Sequence, residues 1–295
     1  MTGFTHVSGD VHLLKVPFPG VWTGVTLVLS DEPILIDSGG AAATVDAAIV
    51  PALAELGMQL SDIRWVLATH IHGDHVGGIA RMRALAPSIK IAVMRQSEAR
   101  MRDPLAYSRQ IRAAFPEHSP APPPVLDGVV PDRLLDDGDI IGSLQTLHTP
   151  GHDTDSCCFL ETRSGTLITG DSLQLNGTIS QGCALLFDPE NYRRSLDRLL
   201  ALPIQNIVCG HPYLPLGEVA LGEVATRAFL ASCIGCHEHD RGLVEGMSAA
   251  GVDDVLIIAR ALVASVGGAE PRDMFLPMHS VAAHLRTARD RRDDR

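Results

Sequence analysis

Lysine is all but absent from this chain of 295 residues: it occurs only at Lys15 and Lys90, and the formal net charge is −11. The arginines are scattered except near the C-terminus, so no basic surface is available to neutralise a phosphate backbone, which argues against nucleic acid as a partner. No apolar run reaches the about 18 residues that would suggest a membrane span. The start, MTGFTHVSGDVHLLKV, has neither a basic region followed by an apolar core nor a small-residue cleavage site. These absences lead to the expectation of a soluble, cytoplasmic protein without membrane contact. The six cysteines, Cys157, Cys158, Cys183, Cys209, Cys233 and Cys236, are too few to build a fold of this length from disulfides. Several lie in apolar strand-like runs and read as buried thiols. CIGCH, Cys233 to His237, has the spacing of covalent haem attachment, but it sits in a long helical pattern with no export signal, which argues against haem.

What the chain does have is 45% hydrophobic residues, ample for the core of one large domain or two modest ones. Short β-rich runs come first: VHLLKVPF, VTLVLS and EPILIDSGG. A helical AATVDAAIVPALAELGM follows and ends at Gly57. IRWVLATH reads as a buried strand, followed by a helix (GGIARMRALAP), a strand (IKIAVMR) and a helical stretch from about Ser97 to Phe115. From Pro116 to Pro131 proline is too frequent for helix or central strand, so this segment reads as a surface excursion. Strands SLQTLHTP, SCCFLET and GTLITGD, a helix PENYRRSLDRLLAL and a strand NIVCGH complete the pattern. From Gly217 onward it reads as helical, closing in a charged, solvated tail, RTARDRRDDR. Strands interleaved with helices in each half predict an α/β protein built as an αββα sandwich over residues 1–216. Residues 217–295 form a C-terminal helical extension packing on it.

The densest chemistry is ATHIHGDHVGG, Ala68 to Gly78, with His70, His72, Asp74 and His75 inside six positions. On an extended segment side chains alternate faces, so His70 and His72 point the same way and one metal can take both. Gly73 allows a tight turn, after which Asp74 and His75 open the next helix and can serve a second metal; Gly77 and Gly78 permit close backbone packing. Zinc suits imidazole nitrogen and carboxylate oxygen, but a catalytic site needs three or four protein groups and a vacancy. Further candidates stand at the ends of predicted strands, each beside a glycine: His152 in HTPGHDTDS, Asp171 in LITGDS and His211 in IVCGHPY. Taken one at a time, a turn histidine, a capping aspartate and a core histidine would explain them as well.

T-H-x-H-x-D-H-x-G-G, followed in order by T-P-G-H, T-G-D and G-H, resembles the metallo-β-lactamase superfamily of metallohydrolases, and ILIDSGG resembles the aspartate-bearing strand end those proteins place before the motif. The resemblance spans roughly Leu27 to Pro212. It implies the metallo-β-lactamase fold and two Zn²⁺ per chain, with iron or manganese as alternative occupants. One ion would be held by His70, His72 and His152 and the other by Asp74, His75 and His211, with Asp171 bridging. Asp37 would hydrogen-bond near the ligands, orienting imidazoles and tuning their basicity, and His148 would brace the site or sit in the core. A water between two such ions has its pKa lowered from about 15.7 toward 7, which implies a metal-bridging hydroxide as nucleophile. Asp74 and Asp171, committed to metal, are then ligands of the catalytic centre and not general bases.

Departures within the superfamily narrow the reaction. The β-lactamases proper lack the bridging aspartate that Asp171 would supply, and diiron flavoproteins carry glutamate where His72 stands. Glyoxalase II-like thioesterases, lactonases and related esterases share the full set, so the resemblance implies hydrolysis of a carboxylic thioester, lactone or ester of a small molecule. The sequence departs from acyl-homoserine lactonases in having DSLQLNG after the bridging position, without their tyrosine, and from glyoxalase II in its glutathione-binding residues. A mononuclear iron persulfide dioxygenase, a phosphodiesterase and a non-enzymatic metal-bound sensor are the alternatives on the same scaffold. Residues 97–131 stand where a lid would, offering Met101, Tyr107 and Phe115, and GCALLFDPENY offers Phe187 and Tyr192 as an apolar substrate pocket. Arg100, Arg102, Arg109 and Arg112 could meet a carboxylate or a phosphate-bearing arm, or simply form a solvated helix face. A homodimer through the C-terminal helices is left open.

Overall fold

The computed structural model describes residues 3–293. Two sheets make up its centre. The first contains β1 (Thr5–Ser8), β2 (Val11–Phe18), β3 (Val21–Val28), β4 (Ile34–Ile36), β5 (Trp65–Leu67), β6 (Lys90–Met94) and β7 (Arg133–Leu135), paired in chain order. The second contains β8 (Ile140–Ile141), β9 (Leu144–His148), β10 (Cys157–Glu161), β11 (Thr166–Ile168), β12 (Asn206–Tyr213) and β13 (Gly217–Leu221), in the order β13-β12-β11-β10-β9-β8. Strands β4 to β7 run parallel to one another, as do β11 and β12.

The central strands are apolar on both faces, and their two-residue period sorts each residue to one side. Ile34 and Ile36 of β4 and Leu67 of β5 pack between the sheets against Phe159, Ile168 and Val208. Leu35 and Val66 turn outward to Val45, Ile49 and Leu53 of the helical run Ala42–Thr44, Val45–Ile49 and Val50–Glu55, and to Ile79 and Met82 of helix Ile79–Leu85. On the far side, Leu167 and Ile207 meet Tyr192, Leu196 and Leu199 of helix Pro189–Leu200 and Phe229, Leu230 and Cys233 of helix Glu223–Ala249. The outcome is the expected αββα layering. Burial of this much branched aliphatic surface, at about 25 cal/mol per Å², is the main force holding the layers. The helical run ends as expected at Gly57, which takes the left-handed φ of +72° that closes a helix without a Cβ penalty.

The region after Gly217 differs from the expectation. Gly217–Leu221 is not helical but is strand β13, paired antiparallel with β12, so the expected boundary at 216/217 falls inside a hairpin and the sheet ends at Leu221. The reason is that GEVAL buries only Ala220, too little periodicity to register as a strand without its partner. Helices Glu223–Ala249, Val255–Ser265 and Phe275–Asp293 follow and enclose a separate apolar cluster around Ile258, Leu262, Met278 and Val281. The tail expected to be solvated and frayed is helical as far as Asp293, and its last two residues lie outside the described residues. The expected helix 97–115 is broken at Asp103 into Glu98–Arg102 and Pro104–Ala113, because Pro104 lacks the N–H to continue and Asp103 caps the second piece by accepting from Ala106 N–H. No helix among the described residues is long and apolar enough to cross a membrane.

Candidate metal centre

Parallel strands end at one rim of the sandwich, and the candidate ligands gather there. Asp37 follows β4, His70 and His72 follow β5, Asp74 and His75 stand in helix Gly73–Val76, Asp171 follows β11, and His211 lies in β12 where its register shifts. His152 arrives on the turn between β9 and β10. Their donor atoms form three interlocking groups, His70/His72/His152, His70/His75/Asp171 and Asp74/His75/His211, each with its atoms within 4.8 Å of one another. His152 Nε2 is 3.3 Å from His70 Nε2 and 3.0 Å from His72 Nδ1. His211 Nε2 is 3.2 Å from His75 Nε2 and 3.1 Å from Asp74 Oδ2. Asp171 lies between the groups, with Oδ1 3.2 Å from His75 Nε2 and Oδ2 3.6 Å from both His152 Nε2 and His211 Nε2.

The site is built to receive positive charge. Asp171 Oδ1 is buried with no hydrogen-bond partner, a costly state unless a cation meets it. Burial resists ionisation of Asp171, yet His211 and His75 hold its pKa well below the usual carboxylate range. Burial likewise resists a proton on His75, but Asp171, Asp74 and Asp37 together hold its pKa well above that of ordinary imidazole. A proton is thus drawn to the place a cation would neutralise. Burial and the neighbouring imidazoles push His70 and His152 down, His152 to about 4, leaving neutral rings with lone pairs free to ligate.

A hydrogen-bond frame fixes the rings. Asp37, buried and at φ +63°, accepts from Thr69 N–H and Thr69 Oγ1–H, both at 2.8 Å, and from His75 Nδ1–H at 2.8 Å. Thr69 Oγ1 in turn accepts from His70 Nδ1–H at 3.0 Å, so one carboxylate aligns imidazoles of two groups. His211 Nδ1–H donates to Trp22 O at 2.7 Å, and His152 Nδ1–H donates to Leu185 O at 2.8 Å. Each bond leaves Nε2 as the free donor, which is how partners of this kind select a ligand tautomer.

This frame accompanies a family match: residues 21–211 fit the model of the metallo-beta-lactamase superfamily. The chain belongs to that superfamily. It is similar to protein YobT of Bacillus subtilis (strain 168), 34% identical over 137 residues covering 45% of this chain and 54% of that protein. It is also similar to hydroxyacylglutathione hydrolase of Aeromonas salmonicida (strain A449), 31% identical over 190 residues covering 61% of this chain and 57% of that enzyme. The matched region therefore spans about half the length of these curated relatives. Among solved structures, a metallo-beta-lactamase family protein from Thermus thermophilus superposes with TM-score 0.74 at 21% identity, covering 96% of this chain and 94% of that one. A class B3 di-zinc metallo-beta-lactamase from an Alaskan soil metagenome gives TM-score 0.58 at 20% identity, covering 81% and 92%. At these identities the structural likeness is one of fold.

The superfamily rim opens on a cavity of about 380 Å³ bordered by His72, Asp74, His152, Asp171 and His211. Of the aromatic residues expected there, Tyr107 and Phe187 line it, each with its ring centroid 6.1 Å from that of His72. Phe115 and Tyr192 do not. Phe115 packs on His279 and the C-terminal cluster. Tyr192 is buried behind the His152 turn, where Gly151 lies against its backbone and leaves no opening. Met101 is core. His148 is neither a core residue nor a brace of a ligand ring: it is half-exposed, and its Nε2 contacts Thr154 O at 3.0 Å within the same turn. His237 of the CIGCH pattern packs on Tyr192 and His284 inside its helix.

Three residues of the frame were not singled out by sequence reasoning. Thr69 and Asp153 flank ligands in the quoted motifs, and Gln174 lies in DSLQLNG; adjacency to a ligand was the only available signal. Asp153 Oδ2 sits 3.2 Å from His72 Nε2 and accepts from the Tyr107 hydroxyl, and Asp153 Oδ1 accepts from Arg100 Nη1 at 2.8 Å. Tyr107 thus offers the cavity its ring while its hydroxyl is committed to Asp153. Gln174 Oε1 accepts from Leu185 N–H at 2.6 Å and holds the strap that fixes His152.

Proposed function

We propose that this metallohydrolase is dinuclear and cleaves a carboxylic thioester, lactone or ester. The observation that carries the reading is Asp171, a buried carboxylate with an unpartnered oxygen, within 3.6 Å of imidazoles from both groups. His70, His72 and His152 would hold one ion, Asp74, His75 and His211 the other, and Asp171 would be shared; mixed imidazole and carboxylate donors suit zinc. Such a pair supplies a nucleophilic water at neutral pH and Lewis acidity toward an acyl oxygen. The chain itself contributes position and exclusion of water. Phe18, Ile71, Leu126, Phe187 and Phe275 wall the cavity with apolar surface that seats an acyl group. Among the described residues no cysteine borders it, so a covalent thiol route finds no side chain there. The hydroxyacylglutathione hydrolases, about a third identical to this chain over the matched region, support a thioester as the first substrate to test.

The test is a panel of thioesters, lactones, aryl esters, phosphodiesters and a penam offered to zinc-loaded and chelator-treated protein. Turnover of a thioester, lactone or ester with about two metals per chain, falling at least ~100-fold on chelation, is expected. Hydrolysis persisting in metal-free protein, or one iron per chain with oxygen uptake on a persulfide, would displace the reading. Asp37→Ala should weaken metal affinity by about 10- to 100-fold, since it releases both His75 and the Thr69–His70 pair. Competition against a chromophoric chelator measures this.

A further inference from the structure

Four arginines lie in or beside the two short helices over the cavity, and the structure separates them. Arg100 is tied to Asp153 at 2.8 Å and Asp155 at 3.1 Å. Arg102 is exposed and paired with Glu98 at 2.8 Å. Arg109 is exposed and away from the cavity lining. Arg112 alone lines it, and it is the only lysine or arginine that does so among the described residues. Its Nη1 is used internally, donating to Ser108 Oγ at 2.7 Å and Ser108 O at 3.0 Å, and its guanidinium carbon stands 5.5 Å from the Phe275 ring centroid. Its Nε is buried without a hydrogen-bond partner, and among the described residues no carboxylate lies within ion-pair distance of it. Partial burial works against its charge, and Asp74 across the cavity favours it.

We infer that Arg112 recognises a carboxylate carried by the substrate at a point remote from the scissile bond. The inference rests on the hydrolase reading and narrows its substrate class to an apolar acyl group or leaving group that ends in a carboxylate. A partly buried guanidinium without an anion is an unfinished interaction. With Nη1 held by Ser108 and Nε shut in by its neighbours, Nη2 is the nitrogen left to donate, and its N–H groups give a carboxylate oxygen a charge-assisted hydrogen bond. One positive charge balances one carboxylate, whereas a phosphate dianion would remain half neutralised. The cavity that Arg112 shares with the metal groups has Ile71, Leu126, Phe187 and Phe275 in its walls, apolar surface that suits a hydrocarbon spacer.

The experiment compares two thioesters of one neutral thiol, glutaryl and valeryl, with a third in which the valeryl group is kept and the thiol carries a phosphate. Zinc-loaded wild type should favour the glutaryl over the valeryl substrate by at least ~10-fold in kcat/KM, carried by KM, and should favour the phosphate-bearing one by less. Arg112→Met should reduce the glutaryl-to-valeryl ratio to about one, and Arg112→Lys should leave it between the two. Equal rates on glutaryl and valeryl in wild type, a preference for the phosphate arm alone, or an unchanged ratio in the Met variant would overturn the inference. A binding readout keeps this separate from the hydrolase reading: glutarate, and not valerate, should raise the melting temperature of zinc-loaded wild type and not that of Arg112→Met. A protein that cleaves no ester yet shows this differential shift refutes the reaction and retains the Arg112 site. Absence of the shift refutes the site.

Discussion

Asp171→Asn is expected to lower kcat/KM by about 1,000-fold or more, roughly 4 kcal/mol of transition-state stabilisation, while the protein still folds. Asparagine matches aspartate in shape, so the β11 end that carries it is not recut, and neighbouring Gly170 and Gly210 keep their close contacts. What is lost is charge. In the native chain Asp171 faces His75, His152 and His211 at 3.2 to 3.6 Å, and in the proposed dinuclear site its ionised form would serve both cations. If the site holds two dications as proposed, the neutral amide would leave less negative charge to hold them, so the expected metal content falls below two per chain as well. Metal analysis, far-ultraviolet circular dichroism and steady-state kinetics on one preparation check all three parts. A variant with native activity and full metal content would contradict the shared role assigned to Asp171.

Gly77→Ala should destabilise the fold by about 2–4 kcal/mol and remove metal binding with it. The backbone at Gly77 is ordinary helix cap, φ −61°, so alanine meets no conformational barrier, and on propensity alone the change would favour the helix by about 1 kcal/mol. Sterics reverse the sign. A Cβ there would stand 2.2 Å from Gly40 O and 2.7 Å from Gly73 O, both backbone atoms that cannot rotate away. Relief requires the helix Gly73–Val76, which carries Asp74 and His75, to move off the strand β4 extension. That shift also breaks the bonds from Ser38 N–H and Ser38 Oγ to His75 O, at 2.7 and 2.9 Å. Gly235→Ala is the control: that glycine is exposed in helix Glu223–Ala249 with nothing within 4 Å of a new Cβ, and it should stabilise by about 0.5–1 kcal/mol. Urea unfolding of the metal-free proteins reads both changes; the same sign for the two would contradict the packing argument.

Much of the candidate ligand set was legible before any fold was known, because it is written as local spacing. His70, His72, Asp74 and His75 lie so close in the chain that an extended strand end followed by one turn must bring them near each other. Gly77 and Gly78, read as marks of close packing, have Cβ positions that would strike Gly40 and Ser38 backbone oxygens. The long-range members, His152, Asp171 and His211, could be proposed as ligands only through the order of their motifs. Each one alone also fitted a turn, a cap or a core position.

The pocket is a different matter. Phe115 and Phe187 read alike in sequence, both aromatic and both near a proline, yet one packs on His279 in the C-terminal cluster and the other edges His72. Phe275 and Leu276, from a helix that sequence reading placed in an appendage, line the cavity, and Ser280 of the same helix bonds to Ala184 O and Leu186 N beside the His152 strap.

Local order along the chain therefore determined the alternation of strands and helices and the metal-seeking cluster from His70 to His75, since strand period, turn glycines and ligand spacing act over a few residues, and the order of motifs added His152, Asp171 and His211. Only the tertiary structure decided which arginine lines the cavity, that Asp153 joins Tyr107 and Arg100 beside His72, and which aromatics face the cavity. Those outcomes depend on contacts such as Tyr107 with Asp153, or Ser280 with Ala184, that join segments 46 and 96 positions apart, and no short-range pattern encodes which of several similar side chains will win such a contact.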